Sequence, residues 1–242
     1  MLHSLFSSGD LRQTIINLLL TLPVIIIALS VHESAHGYIA YKMGDRTAFN
    51  LGRVTLNPIK HLDPMGTLMM LLVGYGWAKP VPINTRNFKN PKRGMALTAL
   101  AGPVSNIIIG LIGCILFSLF YVLYLRSGSF LEESFKSNLF YMLVTFLDFL
   151  GFYNLGLAVF NLIPLPPFDG SRIFLSFLPA RVYFNIMRYE RYILIGFLGI
   201  SVVCSYLFSF SPVSLLANSL FNLITRPLIN LFANIFLGSP LF

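Results

Sequence analysis

Apolar residues run through this chain in stretches of about twenty or more, with neither the strict alternation of a half-buried strand nor the one-sided stripe of a soluble helix. Four stretches stand out: Gln13 to Met43, Gly94 to Leu125, Leu139 to Pro164 and Tyr192 to Phe210. A fifth, Val213 to Leu237, is interrupted by Arg226 and Pro227. A hydrocarbon core about 30 Å thick takes about 20 helical residues to cross. The pattern therefore predicts an all-α polytopic membrane protein with five to six transmembrane helices. Between the first two stretches, residues 46–93 are rich in Asn, Pro, Gly and basic side chains. Within them Ala48 to Leu56 (AFNLGRVTL) alternates as a short β-hairpin would, and Met65 to Gly74 is apolar but too short to span. The expectation is a membrane-associated hairpin followed by a re-entrant piece, whose backbone needs protein or a water-filled cavity to satisfy it.

Composition agrees with a bilayer as solvent. Of 242 residues, 56% are apolar and 11% charged, where soluble domains carry about 25% charged residues. A water-facing globule and a disordered chain are both excluded. The net charge of +8 would suggest a polyanionic partner in a soluble protein. Its distribution says otherwise: nine of the 17 basic residues lie between Lys42 and Arg93 and four more between Arg172 and Arg191. Loops that carry Lys and Arg stay in the cytoplasm, so the charge reads as topology, with the N-terminus outside and no nucleic-acid partner. Cys114 and Cys204 each sit inside an apolar run and give no disulfide framework. The first apolar run continues into a polar motif instead of a small-residue cleavage site, so no signal peptide is expected.

That motif is VHESAHG, residues 31–37, which contains H-E-x-x-H at His32, Glu33 and His36. Positions i and i+4 of a helix share one face about 6 Å apart along the axis, so two imidazoles can reach one ion. Two neutral imidazoles suit Zn²⁺, and a neighbouring carboxylate that does not ligate can take a proton from the water that the ion activates. Three ionisable side chains directly after PVIIIALSV are costly in hydrocarbon, which marks a site.

A catalytic zinc needs a third protein ligand. Ile39 and Lys42 stand where a metzincin continuation would require Gly and His. The remaining donors are His3, Asp10, Asp45, His61, Asp63, Glu132, Glu133, Asp148, Asp169 and Glu190. Depth sorts them, because His32 and His36 lie toward the inner end of the first span. Asp169, just past the inner end of the third span in FNLIPLPPFDGSR, is preferred. Asp148, midway along that span, competes with it, and His61 and Asp63 remain as loop contributors.

The chain resembles the site-2 protease family of intramembrane zinc metalloproteases. The resemblance rests on His32 to His36, on Gly102-Pro103-Val104-Ser105-Asn106, and on Asn161-Leu162-Ile163-Pro164-Leu165-Pro166-Pro167-Phe168-Asp169-Gly170. HLDPMGT (61–67) with WAKPVPIN (77–84) is similar to the family's membrane-associated loop. The resemblance implies that His32, His36 and Asp169 ligate one Zn²⁺, that Glu33 is the catalytic base, and that Asn106 and Asn161 hold the substrate backbone. Asn offers a donor and an acceptor to an extended peptide, though interhelical hydrogen bonding is its other role in a membrane. Pro166 and Pro167 stop the helix and can aim Asp169, while Gly102-Pro103 permits a bend and close packing.

The expectation is a single membrane-embedded domain over residues 1–242, with a family-like core of about 13–175 and additional C-terminal helices over about 190–237. It is a short form without PDZ or CBS domain, so substrate selection falls to the membrane segments or to a separate regulatory membrane protein. The expected activity is hydrolysis of peptide bonds in or near a substrate's transmembrane segment, in the cell membrane, with the site near the cytoplasmic side. Ala48 to Leu56 is the expected place for strand addition by the substrate. The alternative is a metal or proton transporter built on Asp148 and the histidines.

Overall fold

The computed structural model describes residues 11–66, 78–128, 134–208 and 212–241. Its frame opens with three long helices: α1 (Leu11–Lys42), then, after the one-turn α2 (Thr47–Asn50), α3 (Pro91–Ser127) and α4 (Phe135–Asn161). The short α5 (Asp169–Leu175) and α6 (Ala180–Met187) follow, then α7 (Glu190–Phe208) and α8 (Pro212–Leu237). Helix starts follow local chemistry. Asn90 caps α3 by accepting from the Arg93 N–H, with Pro91 in the first turn where no N–H is needed, and Ser134 caps α4 through the Ser137 N–H. Gly128 closes α3 at φ +64°, in the left-handed region.

Among the described residues four helices are long and apolar enough to cross a membrane: Arg12–Lys42, Pro91–Ser127, Phe135–Asn161 and Leu215–Leu237. This bears out the all-α membrane class. The count among them is four against the five to six expected; of the Tyr192 to Phe210 stretch, residues 192–208 are helical within α7 without joining the four.

No hairpin forms over Ala48 to Leu56, which corrects the sequence expectation. The Asp45 carboxylate accepts both the Thr47 N–H (3.1 Å) and the Thr47 hydroxyl (2.5 Å), and Thr47–Asn50 closes into a helical turn. Gly52 then turns the chain at φ +63°, and the Arg53 N–H returns to the Ala48 carbonyl. Local side-chain bonds to the backbone here outcompete a strand ladder, so the alternation of apolar residues is surface patterning on a compact loop. The β-pairing seen among the described residues is one antiparallel bridge, Leu62 with Ala78. The proposed re-entrant stretch, from Met65 to Gly74, lies outside the described residues from Thr67 onward.

α3 and α4 pack closely because glycines let the backbones meet. A Cβ on Gly113 would stand 2.5 Å from the Gly151 nitrogen, and one on Gly110 would stand 2.8 Å from Leu155. α8 lays Ala217, Phe221, Thr225, Ile229 and Ala233, every fourth residue, into the bundle. Phe221 joins Cys114 and Leu155, while Ile229 and Ala233 join Val122. The bundle so fixed places α1, α3 and the start of α5 around one polar centre.

Candidate metal centre

α1 brings His32 and His36 to one face, with Nε2 of one 3.0 Å from Nε2 of the other. Asp169, at the head of α5, points its Oδ2 to both, 3.0 Å from His32 Nε2 and 3.2 Å from His36 Nε2. Gly170 presses α5 onto the end of α4, since a Cβ there would collide with the Leu162 carbonyl group. This contact, after the Pro-rich turn, is what carries Asp169 back to the helix face. From α3, Gly102 lies directly under the imidazoles: a Cβ would come within 2.5 Å of His32 Cε1 and His36 Nε2. Glycine at 102 is thus a requirement of the histidine pair, a more specific role than the bend expected from sequence.

Proton accounting decides what faces the centre. Asn154 donates its Nδ2 to the Leu150 carbonyl (2.9 Å), so its Oδ1 is the atom left to accept from Asn106 Nδ2 (2.9 Å). Asn106 Nδ2 also donates to the Ala28 carbonyl (3.2 Å), which uses both its N–H groups and turns its Oδ1 toward His32 Nδ1 at 2.6 Å. His32 Nδ1 must therefore carry the proton. His36 Nδ1 lies 2.7 Å from the Thr98 carbonyl, an acceptor only, so it too is protonated there. Both Nε2 atoms are left as lone pairs.

Three acceptor atoms, two imidazole nitrogens and a carboxylate oxygen, consequently converge at 3.0–3.2 Å with no proton of their own to share. Asp169 Oδ2 is buried without a hydrogen-bond partner. Ligands about 2.0–2.1 Å from a tetrahedral zinc stand about 3.3 Å from one another, so the donor set fits such an ion, and the Nδ1 partners are the outer hydrogen bonds that orient metal-binding histidines.

Glu33, one position on from His32, stays outside this triad and accepts the Val81 N–H on Oε2 at 2.9 Å. Among the described residues the metal-competent cluster is His32, His36 and Asp169. Asp148 is not part of it, and neither is His61 or Asp63. His61 is buried against the Thr55 carbonyl (2.7 Å) and Ser34, and Asp63 caps the Gly66 N–H. His3, Asp10, Glu132 and Glu133 lie outside the described residues. Asn161, the last residue of α4, is half-buried and donates to the Leu157 carbonyl. Asn106 is fully buried with its amide engaged on all sides. Asn154 was missed from sequence, although a carboxamide inside an apolar span was signal enough to ask for its partner.

The model of peptidase family M50 matches residues 20–203. The chain belongs to this family. Among curated relatives of this M50 chain, the protein named "Putative zinc metalloprotease YwhC" of Bacillus subtilis is 43% identical over 178 residues, 74% of this chain and 78% of the relative. "Putative zinc metalloprotease Rip2" of Mycolicibacterium smegmatis is 27% identical over 150 residues, 60% of this chain and 52% of that protein. No solved structure matches at comparable stringency.

Proposed function

We propose that this chain is a zinc-dependent intramembrane endopeptidase that cleaves transmembrane protein substrates in or near their membrane segments. The observation that carries the reading is the convergence of His32 Nε2, His36 Nε2 and Asp169 Oδ2 beside a carboxylate that ligates nothing. M50 membership and the zinc metalloprotease relatives support it. His32, His36 and Asp169 would hold one Zn²⁺. When bound, the ion supplies Lewis acidity toward a water and toward the scissile carbonyl.

The chain's own residues do the rest. Glu33 takes a proton from the attacking water as its oxygen bonds to the carbonyl carbon. It returns that proton to the amine nitrogen as the C–N bond breaks, leaving a new carboxylate and a new amine. Asn161 keeps its amide oxygen free of any described hydrogen bond and ends α4 one residue before Leu162, against which Gly170 packs, a suitable contact for substrate backbone. Asn106 acts through His32, as its buried amide has no group left for substrate. The basic loops support a site near the cytoplasmic face of the cell membrane. Residues 1–242 act as one membrane-embedded domain, and a separate membrane protein contributes to substrate selection. The transporter reading loses its support, because Asp148 stands apart from the histidine cluster.

The test is reconstitution of purified protein in liposomes with candidate membrane substrates, with and without a zinc chelator, followed by sequencing of the products. Glu33→Gln is expected to keep one zinc per chain and lose cleavage. Cleavage retained by that variant, or zinc flux across the liposome, overturns the reading.

A further inference from the structure

Among the described residues Glu33 accepts one hydrogen bond, from a backbone amide. Val81 lies between Pro80 and Pro82, so residues 80–82 carry a single N–H, and it donates to Glu33 Oε2 at 2.9 Å. The flanking prolines remove every competing donor and hold the backbone extended. The segment is tied on both sides of this contact. Upstream, Arg53 Nη2 donates to the carbonyls of Lys79 (2.7 Å) and Pro80 (3.3 Å). Downstream, the Asp45 carboxylate accepts the Asn84 N–H and the Asn87 side-chain amide, each at 2.7 Å. Arg53 is 8% exposed and Asp45 0%. Two buried charges of opposite sign are thus committed to the same short segment instead of to each other. The Val81 side chain is buried toward Gly37, whose added Cβ would meet Val81 Cγ1 at 3.4 Å. Along its other side the segment borders a cleft of about 530 Å³ lined by Arg53, Lys60, Lys79 and Pro82 among others. Packing covers one side only, so the specific bonds must set its position.

We propose that residues 79–87 form a strap that positions the Glu33 carboxylate. The Val81 N–H holds Oε2 and leaves Oε1 to face the reacting water, with Arg53 and Asp45 as the strap's two anchors. The proposal rests on the reading of Glu33 as the base, and the two are tested separately. Val81→Pro removes the N–H and nothing from the site's side chains. It is expected to lower kcat by about 10²-fold, the scale of a small misplacement of a catalytic group, with KM and zinc content unchanged. Val81→Ala, which keeps the N–H, is expected to recover most of that loss. Arg53→Gln loosens one anchor and is expected to give a smaller fall in kcat with the same unchanged KM.

The second readout needs no substrate. In the zinc-loaded wild type the Val81 amide is expected to exchange slowly with solvent deuterium. In Glu33→Ala its exchange is expected to rise about tenfold, the equivalent of one lost hydrogen bond, while the Ile83 and Asn84 amides keep their rates. Unchanged exchange at Val81 in Glu33→Ala overturns the strap even if the protein is a protease. Full kcat in Val81→Pro overturns it as well. Failure of Glu33→Gln to affect cleavage, with Val81 exchange still tied to Glu33, overturns the protease mechanism and leaves the strap as a structural fact.

Discussion

The two sides of the centre are held by different means. On the ligand side, His32 is oriented by a chain of side-chain amides, Asn106 from α3 and Asn154 from α4, that ends on helix carbonyls and is wholly buried. On the base side, Glu33 is oriented by one main-chain N–H from an irregular segment tied down by Arg53 and Asp45. Inside the bundle no water is available, so each polar atom needs a partner supplied by a helix face, and carboxamides meet that need with a donor and an acceptor each. At the bundle's end backbone N–H groups are free to act, and the chain exposes one by surrounding it with prolines. The geometry around the two histidines is thus built into helix packing, while that around Glu33 is built into a loop.

Substitutions on the two sides should separate metal binding from rate. The largest effect is expected from Glu33→Gln, a loss of about 10²–10⁴ in kcat with zinc retained, measured by product formation and metal analysis on the same sample. Gly102→Ala comes next: its Cβ would stand 2.5–2.6 Å from the imidazoles. Zinc affinity should fall at or beyond the upper end of the about 10–100-fold known for lost outer-shell support, as read by chelator competition. Asn154→Leu should weaken zinc binding within that 10–100-fold range, because Asn106 loses the acceptor that fixes its amide. A shifted visible spectrum of the cobalt-substituted protein would locate the effect at His32. If Asn154→Leu lowered kcat with zinc affinity intact, the division between the two sides would fail.

The smallest effect is a pH dependence on the base side. Burial alone would push the Asp45 carboxyl upward. The Thr47 hydroxyl, the Asn84 N–H, the Asn87 amide and the Thr47 N–H outweigh it and hold the carboxyl below its ordinary value. A carboxyl lower in the folded than in the unfolded chain contributes stability that is present above the unfolded value of about 4 and lost as pH falls through the folded one. The thermal midpoint in detergent should therefore drop more steeply below pH 4 in the wild type than in Asp45→Asn. Equal slopes would remove Asp45 from the strap's anchors.

Much of this was legible in the residues themselves. Long apolar stretches placed α1, α3, α4 and α8 because a chain without polar surface can satisfy its backbone in lipid only as helices. The i, i+4 spacing of His32 and His36 put two imidazoles on one face whatever the helix packs against. The scarcity of carboxylates narrowed the third ligand to a few positions, with Asp169 ahead of Asp148. The alternation in Ala48 to Leu56 misled, because strand and loop-surface patterns look alike until a side chain such as Asp45 claims the local N–H groups.

Tertiary structure decided the rest. That Asp169 reaches the histidines depends on the turn after α4 and on Gly170 lying against Leu162. That Asn106 turns its Oδ1 to His32 Nδ1 depends on Asn154, 48 residues away. That Glu33 meets the Val81 N–H goes with the hydrogen bonds of Arg53 and Asp45 to the same segment. Periodicity and spacing describe which side chains share a face of one helix. Which donor meets which acceptor between helices and loops is set by packing, and in this protein those pairings determine where every proton at the centre lies.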